Sequence, residues 1–143
     1  MNPFPFNAEE WQRVSQISLA VTNATLADDD VLRASQFVEL QAVLAELRAV
    51  HGEHPVLIET EADFEDDPSR QLELYRAALG LSEEHPLPTL SIRISLAGLL
   101  LGDFGDAEAA AQELSACQAE LDKHGDDRDR AEWLRLLDCC RSP

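Results

Sequence analysis

The chain has 143 residues, 45% of them hydrophobic, and its 28 acidic against 11 basic residues leave a formal net charge of −17. The hydrophobic content is too high for a disordered acidic tail. The charge opposes autonomous binding to DNA, RNA or an anionic membrane surface, each of which needs clustered lysine and arginine; here Lys123 is the sole lysine.

Length predicts one domain over residues 1–143, able to fold without staples. The hydrophobic period is helical nearly throughout, with almost no β alternation. Asn7 and Glu10 form a capping-box pattern ahead of Trp11, Val14, Ile17 and Val21, which predicts a first helix over 8–26. Asp28, Asp29 and Asp30 suit the positive end of a second helix over 29–51, with a stripe of Phe37, Leu40, Leu44 and Leu47 and a stop at Gly52. These two helices make an N-terminal unit over 1–54.

Pro55 opens a short helix over 55–65, and Asp67-Pro68 opens another over 68–82 carrying Leu72, Tyr75, Ala78 and Leu79. The break at His85–Pro88 precedes a helix over 88–101 with Leu90, Ile94, Ala97 and Leu101 facing inward. After the turn at Gly102–Gly105, a long helix is expected over 104–123, stopped by Gly125. Asp126 or Asp127 caps a final helix over 128–141, the core of a C-terminal cap over 126–143. About seven antiparallel helices joined by short turns follow.

Segments 67–81 and 102–116 look like one motif met twice, with Ala78 and Leu114 in corresponding places 36 residues apart. Gly102, Asp103, Phe104 and Ala107 resemble the turn of a tetratricopeptide repeat (TPR). Ile94 and Ser95 resemble its large-then-small pair, and Ile58, Ala62, Tyr75 and Ala78 fit the earlier unit. Glu59 and Gln71 stand where small residues are usual, and Pro55 and Ser91 replace the early tryptophan. The resemblance covers 55–121 as two hairpins and implies an all-α, TPR-like, right-handed superhelical array with flanking capping helices.

It also implies a concave groove for a partner peptide or helix, with Leu57, Thr60, Asp63 and Phe64 on one first helix and Arg93, Leu96 and Leu100 on the next. The lysines and asparagines of the family's carboxylate-binding version are missing from these positions.

Chemical motifs are sparse. There is no Walker loop, HExxH, GxSxG or CxxC, and no nucleophile, base and oxyanion set can be assembled, so a noncatalytic chain without cofactor or metal is expected. His51 and His54 flank a helix break and read as a polar turn. The acids Glu59, Glu61, Asp63, Glu65, Asp66 and Asp67 lack the glycine and terminal glutamate of a calcium loop and read as an acidic patch. Cys117, Cys139 and Cys140 make a poor disulfide framework, which together with the absence of a leader-like start suggests the cytoplasm.

Charge is uneven. Residues 52–67 sum to −7 and 103–125 to −5, around a neutral stretch over 68–102. The leading expectation is an interaction module, an adaptor or scaffold binding a protein partner, with a second copy as a further partner class. The alternative is an acidic, immunity-type inhibitor of a basic protein such as a nuclease, bound through the convex or edge acids of 59–67 and 103–108 rather than the groove.

Overall fold

The computed structural model describes residues 1–142, and those residues contain eight helices and no strand. They are α1 (Ala8–Leu26), α2 (Asp30–His51), α3 (Pro55–Phe64), α4 (Pro68–Glu84), α5 (Leu90–Gly102), α6 (Ala107–Ala116), α7 (Gln118–His124) and α8 (Asp127–Arg141). None is long and apolar enough to cross a membrane.

The caps lie where the local chemistry demands them. Asn7 accepts from the Glu10 amide at 2.8 Å while Glu10 accepts from the Asn7 amide at 2.9 Å. Asp126 and Asp129 form the same reciprocal box at the start of α8. Asp29, Asp67 and Asp106 cap α2, α4 and α6. Gly52 ends α2 at φ +80°, and a Cβ at Gly125 would sit 2.6 Å from the Leu121 carbonyl oxygen.

Three sequential hairpins result: α1 packs on α2, α3 on α4 and α5 on α6. Helix α2 touches α3, α4 touches α5, and α8 closes the far end against α5 and α6. Two apolar clusters meet at α3. Phe6, Val14, Leu40, Val43, Leu44, Leu47 and Leu57 fill the first, and Ile58 and Ala62 belong to the second, larger one around α5. Arg33 ties the N-terminal hairpin to α3, donating to Asp66 at 2.6 Å and to the Phe64 carbonyl at 2.8 Å. Arg48 does the same through Glu61 at 3.1 Å.

The long helix expected over 104–123 is two helices, broken at Cys117 (φ −105°, ψ 7°). At this break the Leu114 carbonyl accepts from Trp133 Nε1 at 2.9 Å, which fastens α8. Beyond the break, Glu120 of α7 reaches the start of α5, whose own N-cap, Thr89, makes no side-chain capping bond. The Glu120 carboxylate accepts from the Thr89 amide at 3.0 Å, the Thr89 hydroxyl at 2.8 Å and the Leu90 amide at 2.9 Å. It acts as a cap supplied from another helix, satisfying amides that α5 leaves open. Replacing Glu120 with Ala should cost about 1.5–3 kcal/mol, read from urea unfolding. A loss under about 0.5 kcal/mol would remove this role from Glu120.

Candidate functional site

A concavity of about 790 Å³ lies between α3, α4, α5 and α8. Its floor is the one open stripe of α5. That helix is buried at Leu90, Ile92, Ile94, Leu96, Ala97, Leu99 and Leu100, as expected for a helix surrounded by neighbours. Only Ser91, Ser95 and Gly98, spaced at four and three residues, turn small faces to the groove, beside Ile94. Glu59 and Asp63, one helical turn apart on α3, form one wall with Tyr75 of α4 behind them. Arg128, Ala131, Glu132 and Arg135 of α8, with Asp126 and Asp129 at its start, form the other. Arg135 is paired with Glu132 at 2.6 Å.

Electrostatics set the two walls apart. Burial pushes the Glu59 carboxyl up to about 7; the Ser91 hydroxyl offsets part of the rise and the Asp63 charge adds to it. Asp63 keeps an open edge in the groove, yet the surrounding protein raises its carboxyl too, against the pull of the Tyr75 hydroxyl, which donates to Oδ1 at 2.5 Å. Burial, the Asp63 charge and this hydrogen bond raise the Tyr75 phenol in turn. Neither carboxylate is neutralised by a basic side chain among the described residues.

Stability therefore depends on pH at Glu59. Its folded value near 7 exceeds the ordinary 4.5, so the folded state binds a proton that the unfolded state releases earlier. This contribution is full below about pH 4.5 and disappears as pH rises through 7. Between pH 5 and 8 it should remove about 2–3 kcal/mol relative to Glu59→Gln, for which that slope is absent. Parallel urea curves for the two proteins at pH 5 and pH 8 would contradict the assignment.

The residues expected to line the groove are placed differently. Leu57, Leu96 and Leu100 are 0%, 1% and 4% exposed and belong to the cores, so they correct the expectation of an apolar groove strip. Phe64 packs partly buried against the N-terminal cluster, and the Thr60 hydroxyl donates to the Val56 carbonyl at 2.7 Å. Arg93 points to the opposite side of α5, bound to Glu113 at 2.6 Å and Glu83 at 3.0 Å. Of that set only Asp63 lines the groove.

The acidic patch is likewise dispersed, because successive carboxylates project around α3 and find internal partners. Glu61 is buried beside Arg48 and Arg70. Glu65 accepts from the Asp66 and Asp67 amides, Asp66 pairs with Arg33, and Asp67 caps α4. Glu59 joins Asp63 in the groove.

The two histidines do not converge. His51 donates from Nε2 to Glu10 at 2.9 Å. Buried His54 donates from Nε2 to the Asn2 carbonyl at 2.8 Å, and its Nδ1 accepts from the Val56 amide at 3.1 Å, which fixes a neutral ring. No group of three potential metal ligands occurs among the described residues. All three cysteines are free: Cys117 is buried, Cys140 partly so and Cys139 exposed.

No family model, curated protein or solved structure matches the chain. Sequence reasoning missed the groove stripe of Ser91, Ser95 and Gly98 and the whole α8 wall. The signal available was the recurrence of small residues at helical spacing within an otherwise apolar helix.

Proposed function

We propose that the chain is a noncatalytic protein-interaction module of the TPR-like class, holding a segment of a partner protein in the groove between α3, α5 and α8. The observation that carries this reading is the groove itself. Two of the helices that line it, α3 and α5, open successive hairpins, and α8, which packs on α5 and α6, forms the opposite wall. A small-residue floor leaves room for side chains brought by a partner. Carboxylates outnumber guanidinium groups on the lining five to two, which favours a basic segment.

This reading is preferred over an acidic inhibitor. Most acids of 59–67 already have partners within the chain, and Asp106 of 103–108 is engaged as the cap of α6.

The test is to fill the floor. Ser95→Trp places a large side chain in the groove and leaves the core leucines of α5 untouched. Proteins captured by the wild-type chain at about 0.15 M salt should be lost by Ser95→Trp, with helical content unchanged by circular dichroism. Raising salt to about 1 M, where screening reaches in to about 3 Å, should weaken capture without abolishing it. An identical captured set for wild type and Ser95→Trp would refute the groove as the docking surface.

A further inference from the structure

A second cavity of about 100 Å³ adjoins the groove, and Glu59 and Ser91 line both spaces. This volume exceeds the ~30 Å³ share of one water molecule and suits a single narrow side chain. Its apolar walls come from Pro55 of α3, Leu87 and Pro88 of the α4–α5 loop, and Ile92 of α5. Ser82, near the end of α4, also lines it and is completely buried. The Ser82 Oγ has no hydrogen-bond partner among the described residues, although a helical serine commonly bonds back to the carbonyl four residues earlier. Buried hydroxyls are nearly always paired, so this one marks a place where a donor or acceptor is expected from outside the chain.

The other polar groups here narrow the chemistry. Glu59 brings a carboxylate with no cation beside it, and Ser91 brings a hydroxyl. His54 lines the cavity too, but its ring nitrogens are both engaged. A small apolar cavity lined by one carboxylate and two hydroxyl oxygens matches an alkyl stem carrying a compact head with three donors. That is a primary ammonium. A planar guanidinium presents its donors as a flat fork and is suited to bidentate carboxylate geometry, which so small a cavity does not offer. Anions are repelled by Glu59 and Asp63.

We propose that this crevice is a lysine-recognition site: a lysine of a basic partner segment lying in the groove extends into the small cavity, where its ammonium donates to Glu59, Ser91 and Ser82. The proposal rests on the groove reading above, and it adds a ligand chemistry that the groove alone does not specify. Charge complementarity favours it, because the net charge is −17 and the groove carboxylates nearest the crevice, Glu59 and Asp63, are unpaired.

Recognition of this kind is coupled to pH. The groups facing Glu59 are Asp63 on its own helix, Tyr75 on α4, Ser91 on α5 and the neutral His54; Asp126, Arg128, Asp129, Glu132 and Arg135 face it across the groove from α8. With Glu59 titrating at about 7, its ionised fraction falls about tenfold from pH 8 to pH 6, and affinity for a cation falls with it.

The experiment uses the full chain and n-butylammonium as the lysine side-chain probe, followed by amide NMR shifts. Saturable shifts are expected around residues 59, 82 and 91, with a Kd of about 1–10 mM for so small a ligand. Neutral n-butanol at the same concentration should give none. Glu59→Gln should weaken butylammonium at least tenfold and flatten its pH dependence, while Ser82→Ala should weaken it by about threefold to tenfold. Glu59→Gln removes a desolvated charge and Ser82→Ala an unpartnered buried hydroxyl, so at pH 8 both variants should melt at or above the wild-type temperature.

An alanine pentapeptide with a central lysine should bind at least as tightly as butylammonium, and its norleucine counterpart should not. Shifts scattered over many surface carboxylates, or unchanged binding by Glu59→Gln, would overturn the proposal. Binding of butylammonium without binding of the lysine peptide would overturn the partner assignment and leave a site for free amines. If the lysine probes fail while Ser95→Trp still loses its partner, the crevice proposal falls and the groove stands. If Ser95→Trp changes nothing, the groove reading falls, and this proposal falls with it.

Discussion

Leu96→Ala is expected to destabilise the protein by about 2–5 kcal/mol, measured by urea unfolding followed by circular dichroism. Leu96 is 1% exposed and sits in the larger core, on a helix that α4, α6 and α8 contact. Truncation there removes apolar contact and leaves a cavity, because a helix held by three neighbours has little freedom to collapse inward. Against a total stability of about 5–15 kcal/mol for a small domain, the upper end would leave little folded protein. Leu101 on the same helix is only partly buried, so Leu101→Ala should cost less, about 1–2 kcal/mol. If Leu96→Ala cost under about 1 kcal/mol while partner binding disappeared, Leu96 would have to be returned to the binding surface.

The contrast between these two leucines indicates how far the sequence reaches. Helix positions follow from local chemistry, and the caps at Asn7, Asp29, Asp67 and Asp126 lie where short polar side chains precede apolar stripes. Such signals act over three or four residues, and a single sequence carries them in full.

The facing of α5 was much less legible. Leu90, Ile94, Ala97 and Leu101 make a plausible inward stripe, and that choice turns Leu96 and Leu100 outward. A helix enclosed on several sides has no single inward stripe, so the informative residues are the exceptions. Ser91, Ser95 and Gly98 mark the open face. The break at Cys117 was hidden for a different reason. Ala107 to Leu121 carries a continuous helical period, and the bonds found beside the interruption run from Trp133 to α6 and from α5 to Glu120. Both are long-range contacts that periodicity does not encode. The acids of 59–67 illustrate the same point, since their sum was readable and their partners, Arg33 and Arg48 on α2, were not.

Trp133→Ala is expected to release α8 and to abolish partner binding with it. Trp133 is buried in the larger core, and its indole N–H donates to the Leu114 carbonyl at 2.9 Å. Removing a buried tryptophan costs about 3–5 kcal/mol. The loss falls mainly on α8, a 15-residue helix whose other buried side chain among the described residues is Leu136. An isolated helix of that length is marginal in water, so once undocked it should fray. Amide exchange should then accelerate across 127–141 while α2 keeps its protection. Trp133→Phe, which retains most of the packing but leaves the Leu114 carbonyl without its indole partner, should cost about 1–3 kcal/mol and keep α8 docked. The functional consequence follows from geometry. Arg128, Ala131, Glu132 and Arg135 form one wall of the groove, so a free α8 leaves Ser91, Ser95 and Gly98 on an open surface facing no opposite wall. Partner binding should therefore be lost in Trp133→Ala and retained in Trp133→Phe. Full exchange protection of 127–141 in Trp133→Ala would show that α8 is held by other contacts. Undiminished partner binding with α8 undocked would place the docking surface elsewhere on the molecule.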